Sequence, residues 1–212
     1  MSDGLVVGPD GEPRCSWGAD PEDYRAYHDE EWGRPVTDDA RLFEKIVLEG
    51  FQAGLSWITV LRKRPRFREV FAGFAPGAVA AFGPADVLRL MGDAGIVRHR
   101  GKIEAAISNA ARAGEAIATH GSLAAYLWQH LPDDRPAPDG VAALPTSTPE
   151  SAALSRRLKE DGWRFVGPTT VYALMQATGM VNDHLAGCFV RDRVEAMRAP
   201  VLARYRGGPP AT

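Results

Sequence analysis

The residues best suited to chemistry lie in the stretch 48–57, which reads LEGFQAGLSW. Glu49 follows Leu42 and Ile46 at helical spacing, so it falls on the apolar face of the helix that they predict. A carboxylate on a core face is costly unless a partner compensates its charge. Two glycines and Trp57 follow, which offer a permissive backbone and a flat stacking surface. This pattern predicts a pocket for a flat polar ligand. The simpler alternative, still open here, is a helix end whose glutamate accepts backbone N–H groups and whose tryptophan is core.

Two cysteines and two histidines form a second candidate site. His184 and Cys188 are four residues apart, so on a helix they point the same way. Cys15 and His28 are their counterparts near the other end of the chain. Two thiolates and two imidazoles suit tetrahedral zinc, and four protein ligands would leave no position for a catalytic water. The pattern therefore indicates a structural zinc site. Because the spacing of Cys15 and His28 matches no short zinc motif, two unrelated buried thiols remain the alternative.

Aromatic residues crowd the segment that follows Cys15. They are Trp17, Tyr24, Tyr27 and Trp32. Pro21 can open a helix at its first turn, and Tyr24 and His28 would then share one face of it. Taken alone, this segment is typical of an aromatic core helix with a satisfied histidine.

A helical hairpin is predicted farther along the chain. Apolar periodicity indicates helices at 84–91 and from residue 103 onward, separated by the glycine-containing turn 92–97. Such a hairpin presents backbone N–H groups to an anion, and a helix N-terminus favours negative charge. The cations Arg98, Arg100 and Lys102 add charge beside Gly95. A DNA phosphate suits that position, although many helical hairpins bind nothing. The basic run 62–68 suggests a second surface for a polyanion.

Bulk composition limits the class of protein. The chain has 212 residues, of which 45% are hydrophobic and 25% charged, enough for one substantial core. The net charge of −2 gives no global sign of nucleic-acid or membrane binding. No apolar run has the length of a membrane span, and residues 1–14 lack the apolar core of a signal peptide. These features predict a cytoplasmic protein.

Six segments in order resemble the signature sequences of the DNA-3-methyladenine glycosylase I family. They are residues 15–17, 24–33, 48–57, 93–103, 145–148 and 165–188, which span most of the chain. The resemblance implies an all-α fold of the helix-hairpin-helix DNA glycosylase superfamily, with a zinc-binding extension joining the N- and C-terminal segments. It also implies a single all-helical domain at 15–190. The flanking segments carry no family signal, so we expect a flexible extension at 1–14 and a partly disordered tail at 191–212.

The resemblance assigns roles to individual residues. It implies that Cys15, His28, His184 and Cys188 bind structural Zn²⁺. Glu49 would be the catalytic residue that reads the methylated adenine, in a pocket formed with Trp17, Tyr24, Tyr27 and Trp57. Gly54 and Leu55 would fill the gap left by the flipped nucleotide, and Gly95, Arg98, Arg100 and Lys102 would bind the DNA backbone.

The implied reaction is base excision repair of alkylated double-stranded DNA. Such an enzyme takes the target base out of the stack. N3-methylation gives the base a positive charge and weakens its glycosidic bond, so selective capture matters more than acid catalysis. A desolvated carboxylate and aromatic walls suit an electron-poor, cationic ring. Water then releases 3-methyladenine and leaves an abasic site. No lysine nucleophile is required, so a monofunctional hydrolase is expected. Nothing in the sequence demands an oligomer, so a monomer is expected.

Two other functions remain open at this level. The first is a module held together by zinc that binds damaged DNA without catalysing a reaction. The second is a glycosylase for a different alkylated purine. A carboxylate among aromatic residues favours an enzyme over the binding module, because plain phosphate binding needs no such pocket.

Overall fold

The computed structural model describes residues 3–206, which form ten α-helices and one small antiparallel sheet. The strands are β1 (Leu5–Val7) and β2 (Pro13–Cys15). The helices are α1 (Glu22–Glu30), α2 (Asp39–Gln52), α3 (Trp57–Val70), α4 (Pro76–Ala80), α5 (Pro84–Gly92), α6 (Arg100–His120), α7 (Leu123–Trp128), α8 (Pro149–Glu160), α9 (Pro168–Ala177) and α10 (Arg191–Arg206). The predicted helical class is thus confirmed. No helix within 3–206 is long and apolar enough to cross a bilayer.

Helix α2 lies at the centre of the fold. Asp38 caps it by accepting a hydrogen bond from the Arg41 backbone N–H at 2.9 Å. Every residue from Leu42 to Phe51 is buried, because α3, α6, α7 and α9 all pack against the helix. A helix buried on all sides belongs to the interior of a domain. Glu49 is therefore held by a rigid central element rather than by a surface loop.

Helices α5 and α6 form the predicted succession of helix, turn and helix. The His99 ring caps α6, since its Nδ1 accepts from the Lys102 backbone N–H at 3.2 Å. In the turn, the Asp93 carboxylate accepts from the Gly95 N–H at 2.8 Å. A Cβ at Gly95 would lie 2.6 Å from Arg66 Cγ, so the turn needs a residue without a side chain.

Within the segment 1–14, expected to be a flexible extension, residues 3–14 form most of a small β-hairpin. Strands β1 and β2 pair antiparallel, with Leu5 opposite Cys15. The Arg14 side chain is fully buried, and its guanidinium donates to Asp10 at 2.6 Å and to Asp29 at 3.1 Å. These ion pairs compensate the charge that the hairpin buries, so the segment is ordered by contacts distant in sequence.

The expected tail at 191–212 is likewise largely helical. Helix α10 covers residues 191–206 and buries Val194, Arg198 and Leu202. The Arg198 guanidinium donates to the carbonyl oxygens of Gly179 at 2.6 Å and Met180 at 3.1 Å. The remainder of that prediction, residues 207–212, lies outside the described residues. Residues on both sides of the segment 15–190 therefore pack against it in the described part of the chain.

Candidate active site and metal centre

A cavity of about 240 Å³ opens beside the C-terminal half of α2. Its walls come from the turn after β2, from α1, α2 and α9, and from the start of α3. The lining residues are Trp17, Tyr24, Tyr27, Trp32, Glu49, Gln52, Trp57, Leu144, Ala173 and Gln176. All five residues that the sequence analysis assigned to base binding are among them. The fold therefore brings the predicted pocket residues together from three separate segments of the chain.

Glu49 is a buried carboxylate without a hydrogen-bond partner. Glu49 is 5% exposed, and no hydrogen-bond donor to its carboxylate is found among residues 3–206. Burial raises the pKa of Glu49 from 4.5 to about 7, and the nearby Lys45 ammonium opposes part of that shift. The alternative of a glutamate accepting backbone N–H groups at a helix end is therefore wrong. Instead, the cavity wall holds an acceptor whose hydrogen-bonding capacity is free for a ligand.

Aromatic rings surround this carboxylate. The Trp17 and Tyr24 ring centroids lie 5.3 Å apart in an edge-to-face arrangement, and Tyr27 lies 5.4 Å from Trp57. Such contacts hold the rings in fixed orientations. Burial, followed by the charge of Glu49, raises the pKa of Tyr27, so its hydroxyl stays neutral. The buried Trp57 indole N–H has no acceptor in the described part of the chain. The walls thus combine flat apolar faces with few polar groups.

Gly54 and Leu55 lie in the loop that leaves α2 at the pocket. Gly54 adopts a φ of 82°, in the left-handed region that favours glycine. Leu55 is a large apolar side chain that is 42% exposed beside the cavity. The loop therefore presents an apolar tip to solvent next to Gln52, which lines the pocket.

The structure corrects the role predicted for Lys102. Arg98 and Arg100 are exposed, and Arg100 lies 3.5 Å from the Glu104 carboxylate. Lys102 is 7% exposed, and its ammonium donates to the carbonyl oxygens of Phe51 at 2.8 Å and Ala53 at 2.6 Å. Those carbonyls end α2, where the helix dipole favours a cation. Lys102 therefore ties the start of α6 to the Leu55 loop, and its charge is not available to DNA.

The basic run 62–68 is also neutralised within the protein. Its arginines pair with carboxylates as follows: Arg62 with Asp23 at 2.6 Å, Arg64 with Glu31 at 2.6 Å, Arg66 with Asp93 at 2.8 Å and Arg68 with Glu44 at 2.8 Å. Lys63 donates to the Ala94 carbonyl oxygen at 2.8 Å. The structure therefore does not support the hypothesis of a polyanion surface on this run.

The two cysteines and two histidines meet in one buried cluster. The ligand atoms of Cys15, His28, His184 and Cys188 all lie within 4.8 Å of one another. His28 Nε2 and His184 Nδ1 are 3.2 Å apart, and the Cys188 sulfur lies 3.6 Å from each. A tetrahedral zinc with ordinary bond lengths would place two nitrogens about 3.3 Å apart and a nitrogen and a sulfur about 3.6 Å apart. The two thiols thus lie in one cluster with both histidines, and the spacing fits a tetrahedral metal.

Neighbouring groups fix which ring nitrogen faces the cluster. His28 Nδ1 lies 2.7 Å from the Asp29 carboxylate, and His184 Nε2 lies 3.1 Å from the Trp32 carbonyl oxygen. Each histidine can donate its outer N–H to that acceptor and keep the inner nitrogen's lone pair for a metal. Hydrogen bonding from the Cys15 thiol, assisted by both histidines, lowers the pKa of Cys188. A thiolate and two oriented imidazoles are ligands that zinc prefers.

The chain is similar to known proteins over most of its length. A model of the family described as methyladenine glycosylase matches residues 17–191. The chain belongs to the methyladenine glycosylase family. DNA-3-methyladenine glycosylase 1 of Escherichia coli strain K12 is 51% identical to this glycosylase over 179 residues, which are 82% of this chain and 95% of that protein.

Solved structures agree with the family assignment. A crystal structure of a 3-methyladenine DNA glycosylase I superposes with a TM-score of 0.80 at 48% identity, covering 83% of this chain and 98% of that one. A tyrosine-to-phenylalanine variant of such an enzyme, in complex with 3-methyladenine, has the same TM-score at 34% identity. It covers 84% of this chain and 97% of its own. The fold is therefore that of the family's solved members.

Several pocket residues of this glycosylase were not predicted as site residues. Gln52 follows Glu49 by three positions on α2, so helical spacing alone could have assigned it to the same face. Ala173 and Gln176 come from α9, which packs against α2. No local pattern marks these two, because their place in the pocket depends on helix packing.

Proposed function

We propose that this glycosylase removes 3-methyladenine from alkylated double-stranded DNA and leaves an abasic site. The observation that carries the proposal is Glu49, a buried carboxylate without a partner in an aromatic cavity. Family relatives named as 3-methyladenine glycosylases, one of them in complex with that base, support it. A cationic purine matches both the charge and the shape of the site.

The residues act by capturing a flipped, positively charged base. Ionised Glu49 accepts hydrogen bonds from the amino edge of the purine and favours its positive charge in a site that excludes water. Trp57 and Tyr27 offer ring faces to the electron-poor base by stacking and cation–π attraction. Because methylation has already weakened the C–N glycosidic bond, that bond breaks with its electron pair passing to the base, which leaves as neutral 3-methyladenine. Water then adds to the cationic sugar carbon and loses a proton to solvent.

Monofunctional hydrolysis gives a testable product. An end-labelled methylated duplex treated with this enzyme should stay intact until hot alkali cleaves it at abasic sites. Strand breaks before alkali would contradict hydrolysis by water alone, because they require a lyase step after base release.

The raised pKa of Glu49 predicts a pH dependence of base release. Below pH 7 the free enzyme carries a protonated Glu49, which cannot favour a cation. We expect kcat/KM to fall about tenfold per pH unit below about pH 7, since one group must be ionised. Rates on methylated duplex from pH 5 to pH 8.5 test this, with affinity for undamaged duplex measured at each pH as the control. A profile that stays flat down to pH 5 would remove the Glu49 carboxylate from base capture.

We infer that α5, α6 and the Leu55 loop form the DNA-binding surface, in a helix-hairpin-helix arrangement. Arg98 and Arg100 are exposed beside the N-terminus of α6, where a phosphate is favoured. Leu55 is the exposed apolar side chain suited to fill the space left by the flipped nucleotide. The proposed partner is duplex DNA. The protein would bind it as a monomer and act in the cytoplasm.

Lys102 offers a sharp test of this surface. Lys102→Met should lower the free energy of unfolding by about 2 kcal/mol, because two carbonyl groups at the end of α2 lose their donor. The slope of log affinity against log salt should stay unchanged. In Arg98→Ala, by contrast, the slope should shrink by about one with little change in stability. Urea unfolding and salt titrations measure both. A smaller slope and unchanged stability for Lys102→Met would return this residue to the DNA interface.

We propose that the cluster of Cys15, His28, His184 and Cys188 binds Zn²⁺ as a structural metal. When bound, the metal would link the segment before α1 to the segment before α10, and four protein ligands would leave no coordination position for water. None of the four residues lines the base cavity. The nitrogen and sulfur spacings and the acceptors on the outer ring nitrogens support the proposal.

A further inference from the structure

The turn between α8 and α9 carries an aromatic residue in an unusual backbone conformation. Phe165 is 38% exposed and has a φ of 57°. A bulky residue in the left-handed region is a conformational outlier, which costs on the order of 1 kcal/mol or more. The exposed part of the ring contributes nothing to the core that would offset that cost. The position therefore calls for a reason beyond packing.

Two buried polar side chains hold the residues on either side of Phe165. Asn109 donates to the Arg164 carbonyl oxygen at 2.9 Å and accepts from the Arg164 N–H at 2.8 Å. Ser155 donates to the Val166 carbonyl oxygen at 2.6 Å. Both side chains are almost fully buried. The aromatic ring is thus presented to solvent from a fixed turn, residues 163–166, named here the Phe165 turn.

The Phe165 turn lies beside the proposed DNA surface. A Cβ at Gly50 would lie 3.3 Å from Phe165 Cβ, so the turn approaches α2 near its C-terminal end. The Phe165 ring lies 6.3 Å from the His99 ring, edge to face, at the N-terminus of α6. Phe165 and Lys102 also line the same small depression, and Lys102 binds the loop that carries Leu55. Phe165, the start of α6 and the Leu55 loop therefore form one continuous region.

The charges on this region are available to a polyanion. Arg164 is exposed, as is Arg98 next to His99. Neither has a carboxylate within ion-pair distance in the part of the chain that the structure describes, whereas the arginines of α3 are paired. Proteins that bend duplex DNA combine cations on phosphates with apolar side chains inserted between bases. Arg164 and Phe165 supply that pair of side chains in adjacent positions.

We propose that the Phe165 turn is a second contact of this glycosylase with duplex DNA, an inference that rests on the proposed function. Arg164 binds a backbone phosphate, and the Phe165 ring packs against unstacked bases next to the flipped nucleotide. Leu55 and Phe165 then support the opened duplex from two separate loops. The buried Asn109 serves to hold the turn in position.

Phe165→Gly separates this role from a structural one. Glycine relieves the left-handed conformation, which offsets part of the packing lost with the ring, so the thermal stability should fall only slightly. The Kd for methylated duplex should rise about tenfold, as expected for losing one aromatic contact to a base. Arg164→Ala should weaken binding several-fold and reduce the salt slope by about one. Binding of free 3-methyladenine, followed by tryptophan fluorescence, should be unchanged in both, since the turn shares no residue with the cavity.

Matched controls come from α10. Met197 is 39% exposed and Arg204 is an exposed cation, so Met197→Ala and Arg204→Ala should bind duplex like the wild type. The inference is overturned if Phe165→Gly and Arg164→Ala bind duplex normally while the wild type releases 3-methyladenine. It is also overturned if the loss of duplex affinity in Phe165→Gly is accompanied by a matching loss of thermal stability. If the wild type releases no base, the proposed function fails, and this inference fails with it.

Discussion

Glu49→Gln should lower the single-turnover rate of 3-methyladenine release by about 100-fold or more, while affinity for undamaged duplex stays within a factor of two or so. Glutamine keeps the shape of the side chain but removes the negative charge. Its amide also presents a donor toward the amino edge of the purine, where an acceptor is required. Glu44→Gln is a matched control, because Glu44 lies on the same helix and pairs with Arg68 outside the cavity. That variant should release base at the wild-type rate.

The same substitution should stabilise the protein at alkaline pH. Because burial raises the pKa of Glu49 from 4.5 to about 7, the folded state binds a proton more tightly than the unfolded state. That contribution is complete below about pH 4.5 and is lost as the pH rises through 7, a change of about 3 kcal/mol. Glutamine does not ionise. Urea unfolding should therefore show Glu49→Gln gaining stability relative to the wild type between pH 5 and pH 8.

Two results would contradict this account of Glu49. Unchanged base release in Glu49→Gln would move base recognition to other residues. A loss of stability at pH 8 would mean that the carboxylate makes structural hydrogen bonds after all, as the alternative from sequence supposed. A gain in stability together with a loss of activity is the signature of a buried charge kept for its ligand.

Loss of the proposed metal should have the second large effect. Cys188→Ser should lower zinc content from about one ion per chain and reduce the free energy of unfolding by several kcal/mol, since metal binding contributes directly to folding. A strong chelator should destabilise the wild type and leave Cys188→Ser unaffected. Metal analysis and urea unfolding, with and without chelator, measure these effects. Purified wild-type protein that contains no zinc and does not respond to chelator would contradict the proposal.

Base release by the folded fraction of Cys188→Ser tests whether the cluster takes part in the reaction. The cluster lies outside the base cavity, so base release per folded molecule should fall much less than stability. A loss of rate in a fully folded variant would instead assign the cluster a part in the reaction.

The sequence predicted the central features of the site because they are local. The spacing of Leu42, Ile46 and Glu49 placed a carboxylate on a core face. The helix expected to carry His184 and Cys188 is wrong, because residues 184–188 lie in the non-helical segment before α10, where Gly187 has a φ of 85°. The grouping of His184 and Cys188 with Cys15 and His28 rested on residue types alone until the family resemblance supported it, because no spacing rule connects segments so far apart.

What could not be predicted depends on contacts distant in sequence. In the sequence, Lys102 stands among exposed cations. Only the packing of α6 on the end of α2 shows that its ammonium donates to two backbone carbonyl oxygens. Arg14 looked like part of a polar extension, yet its ion pair with Asp29 also supports the ring of His28. The hairpin that carries Arg14 thus belongs to the surroundings of the cysteine–histidine cluster, a relation that no local pattern indicates.

The most direct test of the whole account is base release from methylated duplex DNA by the wild-type protein, with the freed bases separated by chromatography. We expect free 3-methyladenine with little 7-methylguanine, because Glu49 would accept hydrogen bonds from a small cationic adenine in the cavity. Comparable release of several methylated purines would contradict that selectivity. No released base from a folded, zinc-loaded sample would contradict the proposed reaction itself.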